Sequence, residues 1–270
     1  MKAIVLVDNI PQGNLAGEWG LSIYIEYQGK HILLDTGSSG LFLKNAGKLG
    51  KELQKVDYAV LSHAHYDHAN GMKNFFGVND KAAFYLREGS RENCYMKKWI
   101  FRKYIGLPKG ILEEYKERIV YAGGNYTLCP GATLIPHKTE GLSRIGKENN
   151  MYIRSKNGWQ PDDFAHEQSL VLETETGLVI FNSCSHGGAD NIINEVKATY
   201  PDKKIRALVG GFHLFGKKAE EVRAMAQRIR ETGIQEIYTG HCTGKEAYVV
   251  LKAELGAMVH QLSVGLEMEW

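Results

Sequence analysis

One stretch, Leu61-Ser62-His63-Ala64-His65-Tyr66-Asp67-His68-Ala69-Asn70-Gly71, limits what this chain can fold into. Three imidazoles and a carboxylate crowd together directly after Tyr58-Ala59-Val60-Leu61, which reads as a short buried strand. Neutral imidazole nitrogens and carboxylate oxygens suit a divalent ion of the zinc, manganese or iron type. Residues two apart in extended backbone point the same way, so His63 and His65 can grip one ion. Asp67 and His68 are adjacent and diverge, which suits a second ion a few ångströms away. A polar loop with surface histidines is the plainer alternative, but the spacing is more specific than a lone histidine would be.

Four donors from one loop cannot close two sites, so the rest must come from elsewhere. Three later histidines follow strand-like runs and lie beside glycines, which let backbone approach a crowded site. They are His186, His213 and His241. His31, His137 and His260 sit in apolar or loop patterns and read as structural, and Cys94, Cys129 and Cys242 read as small buried side chains. Asp35, in Asp35-Thr36-Gly37-Ser38-Ser39, also fits an aspartic-protease triplet. That chemistry needs two such aspartates sharing a proton, and the chain has one copy. Asp35 therefore reads as a group that holds a loop or a ligand histidine in place.

The chain has 270 residues, 43% of them apolar, enough for one large α/β domain with a substantial core. A net charge of +2 gives no global field for nucleic acid. The first residues, Met1-Lys2-Ala3-Ile4-Val5-Leu6-Val7-Asp8, read as a strand and not a signal peptide. No window is long and apolar enough to span a membrane, so no membrane partner is expected. Four cysteines without paired spacing suit a reducing cytoplasm.

Alternation and turn residues predict strands over 2–7, 21–27 and 31–35, with a helix over 41–49. They predict a helix over 69–76 capped at Gly77 and a strand over 82–86. Residues 87–120 read as an inserted helical segment. Between 97 and 109 it carries five positive charges, no negative ones, and Trp99, Phe101 and Tyr104. Lys98, Arg102 and Lys103 are candidates there for steering an anionic substrate, against a solvated face or a homodimer contact. Residues 140–163 read as a long polar loop. A second hairpin over 169–182 precedes helices over 191–200, 217–232 and 244–255, with strands at 204–209, 235–238 and 258–262.

H-x-H-x-D-H after a short strand, with Leu33-Leu34-Asp35-Thr36-Gly37 upstream, resembles the metallo-β-lactamase superfamily. Asn182-Ser183-Cys184-Ser185-His186-Gly187-Gly188, Gly210-Gly211-Phe212-His213-Leu214 and Gly240-His241-Cys242-Thr243-Gly244 are similar to one branch of it. That branch is labelled 7,8-dihydropterin-6-methyl-4-(β-D-ribofuranosyl)aminobenzene-5′-phosphate synthase, or metal-dependent hydrolase of β-lactamase superfamily II. The resemblance spans essentially the whole chain and implies a four-layer αββα sandwich over 1–270 with the helical insertion. It implies one or two divalent ions, zinc first, with His186 joining His63 and His65, and His241 joining Asp67 and His68. The usual bridging aspartate is absent. Where it belongs stands Cys184, which could serve as a thiolate, or His186 could occupy that region; His166-Glu167 stands where a histidine usually precedes the second hairpin. Glu167 and His213 stay open as further ligands. The implied activity is hydrolysis of an ester, lactone or phosphoester of an anionic small molecule by metal-activated water, with Asp67 orienting the nucleophile. The alternatives are a synthase-like transferase of pterin metabolism and a non-catalytic metal-binding scaffold or sensor.

Overall fold

Along Lys30–Leu34, Ile32 and Leu34 face one way and Leu33 the other, yet all three are buried. A strand buried on both faces must lie between two layers. The computed structural model, which describes all 270 residues, shows what those layers are.

The strands β1 (Lys2–Val7), β2 (Ser22–Tyr27) and β3 (Lys30–Leu34) run antiparallel. After α1 (Leu41–Lys48) comes β4 (Tyr58–Val60); α2 (Tyr66–Ala69) and α3 (Met72–Val78) lead to β5 (Ala83–Arg87). Next are β6 (Cys94–Lys98), β7 (Phe101–Tyr104), α4 (Ile111–Glu114) and β8 (Ile119–Ala122). The second half opens with β9 (Tyr126–Cys129), β10 (Ala132–Pro136), α5 (Leu142–Glu148), β11 (Met151–Ser155) and β12 (Gly158–Pro161). It continues through β13 (Gln168–Thr174), β14 (Gly177–Phe181), α6 (Ala189–Thr199), β15 (Ile205–Val209) and α7 (Ala219–Glu231). It ends with β16 (Glu236–Thr239), α8 (Lys245–Leu255), β17 (Val259–Gln261) and β18 (Glu267–Glu269).

One sheet has the order β18-β1-β2-β3-β4-β5-β8, the other β17-β16-β15-β14-β13-β10-β9. Their inner faces meet in a core that includes Val5, Ile23, Ile32, Leu34, Leu170, Val179 and Phe181. Phe42 of α1 and Phe75 of α3 cover the outer face of the first sheet against Leu33 and Phe84. Ile192 of α6, Ile229 of α7 and Leu251 of α8 cover the second against Ile180 and Leu208. The result is the expected αββα sandwich. Burying a side chain such as Leu33 or Phe181 contributes about 1.5–3 kcal/mol each.

Four local expectations change. The 87–120 insertion is not mainly helical: β6 and β7 form a hairpin, and only α4 and a short 3-10 turn are helical. Its side chains alternate between faces with period two, a pattern hidden by the uniform run of cations. Trp99 turns the hairpin at φ +57°, a left-handed conformation that costs a side-chain-bearing residue about 1–2 kcal/mol. Residues 140–163 are not a loop either; they fold as α5 and the hairpin β11–β12, which extends β6–β7 into a third, four-stranded sheet. The helix over 69–76 is broken at Asn70-Gly71 into α2 and α3. A Cβ on Gly71 would lie 2.4 Å from the Thr36 carbonyl oxygen, so backbone meets backbone at that break. Finally, β18 is an extra strand, which returns to pair with β1.

Candidate metal centre

Strand β4 ends at Val60, and the chain then crosses the rim of the sandwich through His63, His65 and the short helix α2. Strands β14, β15 and β16 end on the same rim, carrying Cys184 and His186, His213, and His241 there. Backbone strain gathers at this rim: Asp35 (φ +57°), Ser185 (+46°), His213 (+49°) and His241 (+45°) are all left-handed without being glycine. Such positions cost on the order of 1–3 kcal/mol each and persist only where surroundings hold them.

Donor atoms of His63, His65 and His186 lie within 4.8 Å of one another, as do those of Asp67, His68 and His241. All six residues are buried. Cys184 stands between the groups, its Sγ 3.3 Å from His68 Nε2 and in reach of both His63 and His241. The structure therefore brings together the six residues named as ligands, and Cys184 with them. The rings of His65 and His186 are 5.1 Å apart between centroids.

The hydrogen bonds around these rings fix which nitrogens carry protons. Asp35 Oδ2 lies 2.6 Å from the Ser62 and Ser183 hydroxyls and 2.8 Å from His68 Nδ1, and Oδ1 accepts the Ser62 amide. A carboxylate only accepts, so His68 is protonated at Nδ1. The Ser62 hydroxyl proton is committed to Asp35, so Ser62 Oγ accepts from His63 Nδ1 at 2.8 Å. His186 Nδ1 donates to Glu167 Oε2, and His241 Nδ1 donates to Asn9 Oδ1 at 3.1 Å. In each neutral ring the remaining Nε2 is then a lone pair.

Those lone pairs converge. His68 Nε2 and His241 Nε2 face each other at 3.2 Å, with the Asp67 carboxylate 3.4 Å from His241 and 3.8 Å from His68. Nε2 of His63 and of His65 are buried without any hydrogen-bond partner. Electron-rich atoms packed this way repel unless positive charge lies among them. The surroundings favour that positive charge, as a proton on His241 where no ion is held. Burial pushes the His241 imidazole down, but Cys242, Asp67 and Asp8 outweigh it and lift the ring to about 9. Burial pushes the Asp67 carboxyl up, and His68, His241 and His65 more than reverse it, holding it below the usual carboxylate range. Nitrogen, oxygen and sulfur donors in two neighbouring groups fit divalent cations of the zinc class.

Outer groups lock the inner ones. Glu167 is not among the converging donors: it binds His186 Nδ1 and amide, and its other contact is His137 Nε2 at 2.9 Å. Burial raises the Glu167 carboxyl, but His186 and His137 outweigh it and hold it well below its ordinary value. His166 forms a buried cluster with His65, Cys94 and Asp162. Its Nδ1 accepts the Ala64 amide at 3.1 Å, so Nε2 carries the proton and donates to Asp162 at 3.2 Å. That tautomer leaves His166 no lone pair for an ion; it braces the loop instead. His213 is also outside the two groups. Its ring lies 4.7 Å from that of His186, and its Nδ1 is buried without a partner.

Cys242 and His137 are among the groups that escaped sequence reasoning. Cys242, read as a plain buried side chain, has its Sγ 3.5 Å from Cys184 Sγ and within reach of His241. His137, read as structural, is the outer partner of Glu167 and Glu195. The Cys242 signal was its place beside His241; His137 had none, because its partners come from distant strands.

A narrow hollow of about 100 Å³ opens over the centre, walled by Trp19, Met96, Ile105 and Met151. His186 and His213 separate it from a polar side hollow of about 380 Å³ that reaches Ser185, Asp190, Lys217 and Arg228. Lys98, Arg102 and Lys103 do not line the central hollow. Arg102 lies over the Trp159 ring at 4.3 Å, and Lys103 borders a separate hollow beside Tyr66.

Residues 20–151 match the family model described as Metallo-beta-lactamase superfamily. Over 96% of both chains it is 26% identical to the 7,8-dihydropterin-6-methyl-4-(beta-D-ribofuranosyl)-aminobenzene-5′-phosphate synthase of Methanocaldococcus jannaschii. The crystal structure of Tm1679, a metal-dependent hydrolase of the beta-lactamase superfamily, superposes with a TM-score of 0.86 at 28% identity, covering 100% of this chain and 99% of that one. Zn(2+)-bound PqqB from Methylobacterium extorquens shares the fold, with a TM-score of 0.60 at 10% identity over the whole of both chains.

Proposed function

We propose that the chain is a metal-dependent hydrolase of a small anionic substrate. His63, His65 and His186 would hold one divalent ion, and Asp67, His68 and His241 a second, with Cys184 between them. The observation that carries this reading is the facing pair of lone pairs on His68 and His241 beside the Asp67 carboxylate. Bound there, divalent ions supply Lewis acidity and a water that ionises near neutral pH.

The protein's own groups do the rest. Asp67, held ionised, accepts a hydrogen bond from the attacking water and orients it. Asp35, Glu167 and Asn9 keep each imidazole in its donor tautomer. The apolar walls of Trp19, Met96 and Met151 limit bulk water at the reacting bond. Lys217 and Arg228 at the side hollow are paired with Glu221 and Asp190 there, so the anionic substrate is read from the likeness to a phosphate synthase.

The test is metal analysis of purified protein, then a panel of phosphodiesters, lactones and thioesters. Expected is turnover lost with chelator and restored by zinc or manganese. Fully loaded protein with no hydrolysis of any member would overturn the reading.

The full-length likeness to a synthase supports a second reading, in which the same centre serves a phosphoribosyl aryl-amine condensation with a pterin. Product formation from phosphorylated pterin precursors, without hydrolysis of the panel, would favour it.

A further inference from the structure

The β6–β7 hairpin ends in a feature that the metal centre does not use. Lys98 pairs with Phe101, leaving Trp99 and Ile100 as a two-residue turn. Trp99 is 86% exposed, Ile100 81% and Phe101 71%. Three large apolar side chains in succession at a protruding tip have no role in this chain's own core.

Trp99 is anomalous twice. Two-residue hairpin turns favour glycine or asparagine where φ is positive, yet here φ is +57° on a tryptophan. A turn that only reversed the chain would not need an indole in that conformation. The ring is held outward at a backbone cost, so the ring itself has a use.

Lys97 and Lys98 precede the tip, and Arg102 and Lys103 follow it. Lys97 and Arg102 share one face of the hairpin; Lys98 and Lys103 lie on the other. None of the four makes an ion pair. The tip is thus an apolar point within a collar of cations that have no carboxylate partner, Arg102 lying over the Trp159 ring.

We propose that this tip docks on an anionic lipid surface, with Trp99, Ile100 and Phe101 entering the headgroup boundary and the four cations contacting lipid phosphates. Tryptophan favours that boundary, where one edge of the ring is wet and the rest is apolar. Charge complementarity selects this occupant over a second copy. A twofold contact through the tip would set four cations against four. Docking by a tip differs from spanning, and no helix here is long and apolar enough to span. Met96, three residues before Trp99, walls the central hollow. The docked tip therefore brings the hollow to within about 10 Å of the headgroups.

The test is sedimentation of the whole protein with phosphatidylcholine vesicles, with and without phosphatidylglycerol. Expected is binding only when phosphatidylglycerol is present, weakening as salt rises. Each cation near such a surface contributes enough that Lys98→Glu with Arg102→Glu should lower partitioning at least about tenfold. Trp99→Gly should also lower it, while relieving the backbone strain, so its thermal midpoint should not fall. No binding to phosphatidylglycerol vesicles overturns the proposal. So does equal binding by these variants, or a tip-dependent dimer in sedimentation velocity that forms without lipid.

Discussion

Asp35 and His68, both wholly buried, are joined by a 2.8 Å contact between a carboxylate oxygen and Nδ1. The same oxygen also takes both serine hydroxyls. In Asp35→Asn an amide NH2 must face at least one of these donors. The expected result is metal affinity weakened about 10–100-fold and stability lowered by about 1–3 kcal/mol. Titration with a metal buffer and urea unfolding of the apo form measure the two separately. A loss of stability alone would make Asp35 a purely structural anchor.

Asp67 sits between His68 and His241 at the start of α2. Asp67→Ala should lower turnover by about 10²–10⁴ and bound metal by one equivalent, with circular dichroism unchanged. Full turnover with full metal content would refute its assigned role.

Cys184 Sγ lies 3.3 Å from His68 Nε2, between the two donor groups. Protein loaded with cobalt should show thiolate-to-metal charge-transfer absorption in the near ultraviolet. Cys184→Ser should remove that band, and Cys94→Ser should keep it. A spectrum insensitive to Cys184→Ser would exclude the thiolate as a donor.

His137 links Glu167 to Glu195. Burial pushes its imidazole down, but the two carboxylates outweigh burial and lift it to about 10. The folded state therefore binds more protons than the unfolded one between about 6.5, the ordinary histidine value, and 10. Stability from this group is full below pH 6.5 and is lost as pH rises through 10. His137→Gln should be less stable than the parent at pH 6 and should show a flatter decline from pH 7 to 10. Parallel stability curves for the two proteins would mean that the ring is not charged.

Much of the centre was legible because its donors are local. His63, His65, Asp67 and His68 declare themselves by spacing; His186 and His241 follow strands beside glycine, as His213 also does, and it is the family resemblance that singles those two out. The groups that fix their tautomers were mostly not legible. Ser183, Asn9 and His137 acquire meaning only when strands distant in sequence end on one rim. The β6–β7 hairpin was misread because cations on both faces leave no contrast between buried and exposed positions. β11 and β12 were missed for a related reason: β12 is an exposed edge strand, and β11 beside it belongs to a small sheet that needs little apolar sequence. Cys242 was read as inert because a single buried thiol is ambiguous until its neighbours are known.

The pairing of β1 with β18 has a consequence for how the chain comes to be folded. β1 lies between β2 and β18, and the Met1 amine donates to the Trp270 carbonyl at 2.7 Å. Its outer neighbour therefore lies far from it in sequence, with all the other strands between them. While the ribosome works through the intervening residues, that flank of β1 stays an open, apolar template for pairing with other nascent chains. The first sheet can close only after β18 has been made, which makes this long-range register a slow and aggregation-exposed step.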